Sequence, residues 1–230
     1  MISRKIEFDL APELLSSGLC GIYFVISGLS NRDSDNGFEV YKDQQLQHLL
    51  ETLTPEQVQQ DVILKGYREL HTHFGFSNRN FPAAPETLAE NLLKYHRLVQ
   101  VNLLVDIYNL VSLETHVALG AHDLTNVVGN IHLRPMTGDE AFWPLGSLEP
   151  KKARPGGYSY IDDANDILCM LDSRQVEKSK VTSATTESFY ILQGNALTSP
   201  EKLHQCAEYL IELTKRYCGG EEYYLYPKAE

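Results

Sequence analysis

The sequence contains none of the short motifs that fix a function by themselves. It has no Walker loop and no GxGxxG, which excludes the familiar glycine-rich phosphate cradles, and no GxSxG or HExxH, which excludes two common hydrolase signatures. No apolar run is long enough to cross a bilayer, and the opening MISRKIEFDLAPELL lacks the pattern of a secretory signal. These absences predict a cytoplasmic protein with no membrane partner.

Cysteine, metal-ligand spacing and positive charge are also scarce. The four cysteines form no CxxC pair, and neither they nor the histidines have zinc-ligand spacing, so we predict reduced thiols, no metal and no cofactor. The net charge is −11, whereas proteins that hold many phosphates carry a basic face. The charge therefore argues against a large nucleic-acid footprint but allows a single RNA end in a pocket.

The composition and patterning that are present are those of a globular domain. With 230 residues, 43% of them apolar, the chain is long enough to bury a core, and we predict a single domain over residues 1–230. Apolar periodicity and capping signals predict helices over 55–74, near Leu88 and after Ser199. Short β-forming runs predict strands at residues 5–8, 20–26, 131–134, 158–161, 167–171, 188–192 and 223–226. This order of elements is typical of an α+β fold.

A further helix is predicted over residues 102–115, and it is apolar on most sides, as expected of a buried helix. Asn102, Asp106 and Asn109 nevertheless follow one another at helical spacing and share a narrow polar stripe. A buried carboxylate must be paired or hydrogen-bonded. Two interpretations stay open: the stripe anchors neighbouring backbone, or Asp106 and Asn109 face a ligand pocket.

A second concentration of polar groups lies in residues 171–180, directly after the apolar strand at 167–171. Asp172, Arg174, Gln175 and Glu177 stand at the end of that strand, and loops held by a rigid strand are frequent positions for binding groups. The alternative interpretation is a solvated, charged turn. The first interpretation makes Asp172, Arg174 and Gln175 candidate ligand-binding residues.

Two blocks of the sequence resemble the B3/B4 editing module of the phenylalanyl-tRNA synthetase beta subunit. Residues 104–114 and 120–124 are similar to its D-V-T-N-Y-V-x-L-E and H-A-F-D-L patterns, and residues 168–170 and 177–185 to its L-A-M-G-G and G-G-E-H-S-G-V patterns. The resemblance implies a three-layered α+β domain with mixed sheets of unusual topology and packed helices. It also implies a tRNA acceptor end or a small amino-acid-like ligand as the partner, with Asp123 among the ligand-binding residues.

The resemblance implies a role for Glu177, which occupies the position of a glutamate that helps the synthetase module recognise the tyrosine of mischarged tyrosyl-tRNA. Glu177 is therefore the predicted catalytic residue. The sequence departs from the family pattern elsewhere. Gly120 stands in place of a histidine, Tyr108 in place of a threonine, and Leu171-Asp172 and Gln175-Val176 in place of paired glycines. Because glycines let the backbone approach a ligand closely, these changes predict a pocket of different shape.

Three functions follow from the resemblance and the residues together. The first is a free-standing aminoacyl-tRNA deacylase, in which a bound water attacks the ester while Glu177 and Arg174 orient the aminoacyl group. The second is a non-catalytic module that binds an amino-acid-like ligand or an RNA 3′ end, and the third is a pocket enzyme in which Arg174 clamps a free carboxylate. The sequence lacks the synthetase's other domains, which argues against an aminoacyl-tRNA ligase.

Overall fold

A computed structural model describes residues 5–227. The helices of this part of the chain are α1 (Pro12–Ser16), α2 (Asn36–Thr52), α3 (Pro55–Gln60), α4 (Val62–His73), α5 (Ala84–Tyr95), α6 (Leu103–Thr115) and α7 (Pro200–Cys218). The strands are β1 (Phe8–Leu10), β2 (Cys20–Ser27), β3 (Ala118–Asp123), β4 (Ile131–Pro135), β5 (Ala141–Phe142), β6 (Lys151–Lys152), β7 (Tyr158–Asp162), β8 (Ile167–Met170), β9 (Arg174–Gln175), β10 (Glu187–Gly194) and β11 (Glu221–Tyr226). The α+β class is confirmed.

Two main sheets are formed by these strands. The first is a mixed sheet in the order β1-β4-β7-β8-β9, in which only β1 and β4 are parallel, and the second is an antiparallel sheet in the order β11-β2-β10-β3. A small third sheet pairs β5 with β6. In both main sheets strands distant in sequence lie side by side, so the predicted unusual topology is confirmed.

The antiparallel sheet is the middle of three layers because both of its faces are buried. Successive residues of β2 alternate between two cores: Phe24 packs among the helices, whereas Tyr23 and Val25 pack against the five-stranded sheet. In β10, Tyr190 packs among the helices and Phe189 packs against the five-stranded sheet. A strand buried on both faces reads as a continuous apolar run, which explains the GIYFVI sequence of β2.

A buried hydrogen-bond network joins the three layers at Gln193 of β10. The Tyr160 hydroxyl of β7 donates to the Gln193 side-chain oxygen over 2.8 Å, and the Gln193 amide donates to the Tyr158 hydroxyl over 2.5 Å. From the helical layer, the Tyr67 hydroxyl of α4 donates to the Gln193 main-chain oxygen and accepts the Ala118 N–H. Each of these side chains has a hydrogen-bond partner within the protein, and the network fixes the relative position of the layers.

The helices differ from the predictions in two places. The helix predicted over 55–74 is divided at Asp61, whose side chain accepts the Leu64 N–H and so begins α4 as a new helix. The long helix α2 had no counterpart among the predictions. It buries only Phe38, Lys42 and Leu46, so its sequence carries little helical apolar periodicity. No helix within residues 5–227 is long and apolar enough to cross a membrane.

One buried histidine makes the stability of this fold sensitive to acid. His122 of β3 is paired in register with Phe189 and is almost fully buried. Its Nδ1 lies 2.9 Å from the Ser179 hydroxyl, and its Nε2 has no hydrogen-bond partner. Burial lowers the pKa of His122 to about 4, so the imidazole is neutral in the folded protein near pH 7.

We expect the free energy of unfolding to fall as the pH is lowered from about 6.5 to about 4, because the unfolded chain protonates His122 first. The loss attributable to this group is about 3 kcal/mol. Urea denaturation of His122→Gln across this pH range should show a shallower decline than the wild type. His73→Gln, which replaces an exposed histidine, is the control, and an unchanged slope in His122→Gln would contradict the assignment.

Candidate functional site

A cleft of about 560 Å³ opens where the edges of the two main sheets approach each other. β3 is the last strand of the antiparallel sheet and β9 is the last strand of the mixed sheet, and residues of both line the cleft. Helices α5 and α6 and the segment at 144–145 complete the walls. Its size and its mixture of apolar walls with a few polar groups are typical of a small-molecule site.

Four of the seven predicted site residues meet in this cleft. Asn109 lines it from α6, while Asp172, Arg174 and Gln175 line it from the end of β8 and from β9. The predicted catalytic residue and two predicted ligand-binding residues are not among the lining residues; these three are Glu177, Asp106 and Asp123. The concentration of polar groups after the strand at 167–171 therefore forms one wall of a real cleft.

Asp172 is held in a buried pair with a histidine that the sequence analysis did not identify. The His71 Nε2 lies 3.0 Å from Asp172 Oδ2, and both side chains are completely buried. The other ring nitrogen, Nδ1, lies 2.9 Å from the main-chain oxygen of Phe81. Because both nitrogens face acceptors, each must carry a proton and donate.

The charge state of His71 follows from this geometry. Burial by itself disfavours an imidazolium, but the charge and hydrogen bond of Asp172, together with the Phe81 carbonyl, raise the pKa of His71 above its usual value. At pH values below this raised pKa, His71 is an imidazolium that donates from both ring nitrogens. The sequence signal was present, since His71 continues the buried stripe of Leu64 and Tyr67 on α4, but its partner lies 101 residues away.

Two polar atoms beside the cleft have no hydrogen-bond partner. Asp172 Oδ1 and Ser173 Oγ are both buried and unpaired, and both residues line the cleft. Leaving a buried acceptor without a donor costs about 1–3 kcal/mol, so such atoms are rare in native proteins. The nearby Cys169 thiol is not a candidate nucleophile, because burial raises its pKa to about 12 and keeps it protonated.

Three of the departures from the family pattern, at Gly120, Tyr108 and Gln175, lie together on the cleft wall. The Gln175 amide nitrogen is 3.5 Å from the Tyr108 hydroxyl, and a Cβ placed on Gly120 would come within 3.2 Å of that same nitrogen. The space in front of β3 is thus occupied by the Gln175 amide, supported from α6 by Tyr108. Gly120 leaves room for this arrangement, and the predicted change in pocket shape has a physical basis.

Glu177 lies at the rim of the cleft and is fully engaged there. Its carboxylate accepts from Lys180 Nζ over 2.6 Å and from the Gly146 N–H over 2.7 Å. The Lys180 contact and the Gly146 N–H both lower the pKa of Glu177. Lys180 and Leu145 line the cleft, so Glu177 is placed to hold the rim in position rather than to contact a molecule inside.

The residues of the predicted polar stripe of α6 have two different roles: two of them anchor the backbone, and one lines the cleft. Asn102 caps the helix by accepting the Val105 N–H, and Asp106 accepts the Val101 N–H over 2.9 Å while lying 3.6 Å from Lys42 Nζ. These two residues anchor neighbouring backbone, and Asp106 is not among the lining residues of the cleft. Only Asn109 reaches the cleft.

Asp123 likewise stabilises a turn. Its side chain accepts the Thr125 N–H over 2.8 Å and the Thr185 hydroxyl over 2.5 Å, and it begins the 3-10 turn Leu124–Asn126. Both carboxylate oxygens are therefore occupied by the protein. The contacts of Asp123 fit an anchor between two loops rather than a ligand-binding residue.

Comparison with known proteins identifies relatives of this architecture. The family model described as the B3/4 domain matches residues 76–219. The crystal structure of an N-terminal fragment of the phenylalanyl-tRNA synthetase beta subunit from Pyrococcus horikoshii superimposes with a TM-score of 0.51 at 15% identity, over 95% of this chain and 50% of that chain. The chain thus spans half the length of that fragment, and at this identity the likeness shows the fold alone. No curated protein matches.

We expect Asp172→Ala to lower the free energy of unfolding by about 3–5 kcal/mol, because it leaves the charged His71 buried without its partner. The measurement is urea denaturation at pH 6, where His71 is protonated. Lys180→Ala is the control, since it removes an ion pair from a half-exposed position in the same cleft and should cost less than about 1 kcal/mol. Similar costs for the two variants would contradict the buried ion pair.

Proposed function

Because the chain belongs to the B3/4 domain family, we propose that it is a tRNA-related module that binds the aminoacylated acceptor end of a tRNA and hydrolyses a mischarged amino acid from it. The observation that supports this most directly is the cleft between β3 and β9, which Asp172, Arg174 and Gln175 line. A volume of about 560 Å³ suits an aminoacyl group with part of its ribose. Membership of the B3/4 domain family supports a tRNA-related ligand.

The reaction would be hydrolysis of the ester between the amino acid and the ribose. A water attacks the carbonyl carbon, the bond to the ribose oxygen breaks, and the proton of the water passes to that oxygen. The Gln175 amide, supported by Tyr108, is positioned to donate a hydrogen bond to the carbonyl oxygen as negative charge develops on it. This stabilisation is the main catalytic contribution that the cleft wall offers.

The rim of the cleft supplies the charge that an acceptor end requires. The Arg174 guanidinium stacks over Phe81 and donates to the Asn80 main-chain oxygen over 2.7 Å, so it is fixed at the entrance. Lys180 lines the same entrance. These two cations are placed to contact a terminal phosphate, and a contact of that size is compatible with the net charge of −11.

A second candidate function is binding without hydrolysis, and one specific observation favours it. Three groups near the cleft could in principle serve as a general base or nucleophile, and none of them is free to do so. Asp172 is hydrogen-bonded to His71, and Glu177 is paired with Lys180. The Cys169 thiol stays protonated because burial raises its pKa to about 12. In this case the cleft holds an amino-acid-like ligand or an RNA 3′ end. Turnover separates the two functions.

The test is a deacylation assay with tRNAs charged with each of the twenty amino acids. We expect faster release of one amino acid or a small group of them, and Gln175→Ala should slow this release about 10²-fold by removing the donor to the carbonyl oxygen. Gln60→Ala, which changes an exposed glutamine of α3, is the matched control. Absence of turnover on every substrate would contradict hydrolysis and leave the binding function.

Glu177→Ala separates a rim role from direct catalysis. We propose that Glu177 is a positioning residue. Its loss should raise KM several-fold with little change in kcat, because Lys180 and the Gly146 N–H would both lose the carboxylate that holds them. Glu149→Ala, an exposed glutamate near the same turn, should change neither constant. A loss of about 10²-fold in kcat for Glu177→Ala would contradict the rim role and support direct catalysis.

A further inference from the structure

A short stretch of the rim extends the mixed sheet beyond β9 through one antiparallel bridge. The Leu145 N–H donates to the Gln175 main-chain oxygen over 2.9 Å. The Glu177 N–H donates to the Trp143 main-chain oxygen over 3.0 Å. Opposite residues of an antiparallel pair direct their side chains to the same face, and residues two apart on one strand share that face. Leu145 and Gln175 both line the cleft, so Trp143 belongs to the same face.

Trp143 is 45% exposed and is the one tryptophan of the chain. Its indole N–H donates to the Ser147 main-chain oxygen over 2.8 Å, so the polar edge of the ring is engaged by its own turn. Within residues 5–227 no aromatic ring or cation stacks on the indole. A ring that is already held in place loses little conformational entropy when a ligand stacks on it. Trp143 is therefore a preformed contact surface beside the cleft.

The charges next to this ring favour a nucleic acid as its ligand. Strand β5 directly precedes Trp143, and its partner β6 consists of Lys151 and Lys152. Both lysines are exposed, and neither forms a salt bridge with any residue that the structure describes. An exposed aromatic ring beside unpaired cations is the combination with which proteins hold single-stranded nucleic acid, because the ring stacks on a base and the cations contact phosphates.

The spacing along the rim suits the end of an RNA chain. Trp143 and Gln175 are diagonal neighbours across the bridge, and such neighbours lie about 7–8 Å apart. In an aminoacyl ester of a nucleotide, the ribose separates the ester carbonyl from the base. A ligand whose carbonyl meets the Gln175 amide therefore brings its base to the indole of Trp143.

We propose that Trp143 is a stacking platform for the unpaired base of the terminal nucleotide of an RNA, and that Lys151 and Lys152 contact its backbone phosphates. This inference rests on the proposed function for the identity of the ligand, but it does not require hydrolysis. Every base has a π face, so the platform needs a base at the RNA end and tolerates any of the four.

The first experiment uses the wild-type protein, whose single tryptophan reports on the site directly. An RNA hairpin with an unpaired 3′ overhang is titrated, and the same hairpin with an abasic last nucleotide is the matched control. We expect the intact hairpin to quench the emission of Trp143 and to bind about 10–100-fold more tightly than the abasic one. Equal affinity of the two hairpins, binding without quenching, or no RNA binding would overturn the proposal.

Two variants then separate stacking from a general apolar contact, with affinity measured by the anisotropy of labelled RNA. Trp143→Phe keeps an aromatic ring and should bind within about threefold of the wild type, whereas Trp143→Leu keeps apolar bulk only and should lose about 10–100-fold. Equal binding by these two variants would overturn stacking. Tyr224→Leu is the control, because Tyr224 is 39% exposed on β11, at the other edge of the antiparallel sheet from β3.

Vesicles of anionic lipid test a different partner, since the same turn also exposes Leu148 at 95%. A blue shift of the Trp143 emission with vesicles, without a response to RNA, would overturn the proposal in favour of a membrane contact. The deacylation assay distinguishes this inference from the proposed hydrolysis. Base-dependent RNA binding without turnover would refute hydrolysis alone, whereas turnover with an unchanged kcat/KM in Trp143→Leu would refute the stacking platform alone.

Discussion

The structure depends on one constraint: the strands β2 and β10 are buried on both faces, so every other element must pack on one side of them or the other. The helices cover one face and the mixed sheet covers the other, and Gln193 joins both sides through the hydroxyls of Tyr67, Tyr158 and Tyr160. A polar group at that depth is stable only when every bond is made. The cleft lies where this tightly packed arrangement reaches the edges of its two sheets.

Much of the fold could be predicted from the sequence because strong local signals agreed with the tertiary packing. The capping box at Thr54 and the cap at Ser199 begin helices as expected, and the apolar runs at 158–161 and 188–192 are strands. The helix α2 was not predicted, because it buries few apolar residues and owes its position to the other helices. Packing against distant helices leaves no periodic pattern in the sequence of the helix itself.

The candidate site was predicted in part. Residues that one strand holds in place could be predicted, whereas contacts between distant parts of the chain could not. Polar residues placed at a strand end, such as Asp172 and Gln175, can be recognised locally, since the strand itself holds them in one place. The partnership between His71 and Asp172 depends on where α4 meets the turn that follows β8, which no spacing in the sequence specifies. For the same reason the sequence could not tell that Asn109 reaches the cleft and Asp106 does not.

The backbone of Leu171 limits how the cleft can adapt to a different ligand. Leu171 has a left-handed conformation, with φ of 55°, which favours glycine, and its side chain is fully buried. The hydrophobic core therefore clamps the turn that presents Asp172. The backbone of such a turn cannot shift far to accommodate a different ligand. A change of ligand preference would therefore come from exchanging the side chains at 172–175, with the scaffold beneath them left unaltered.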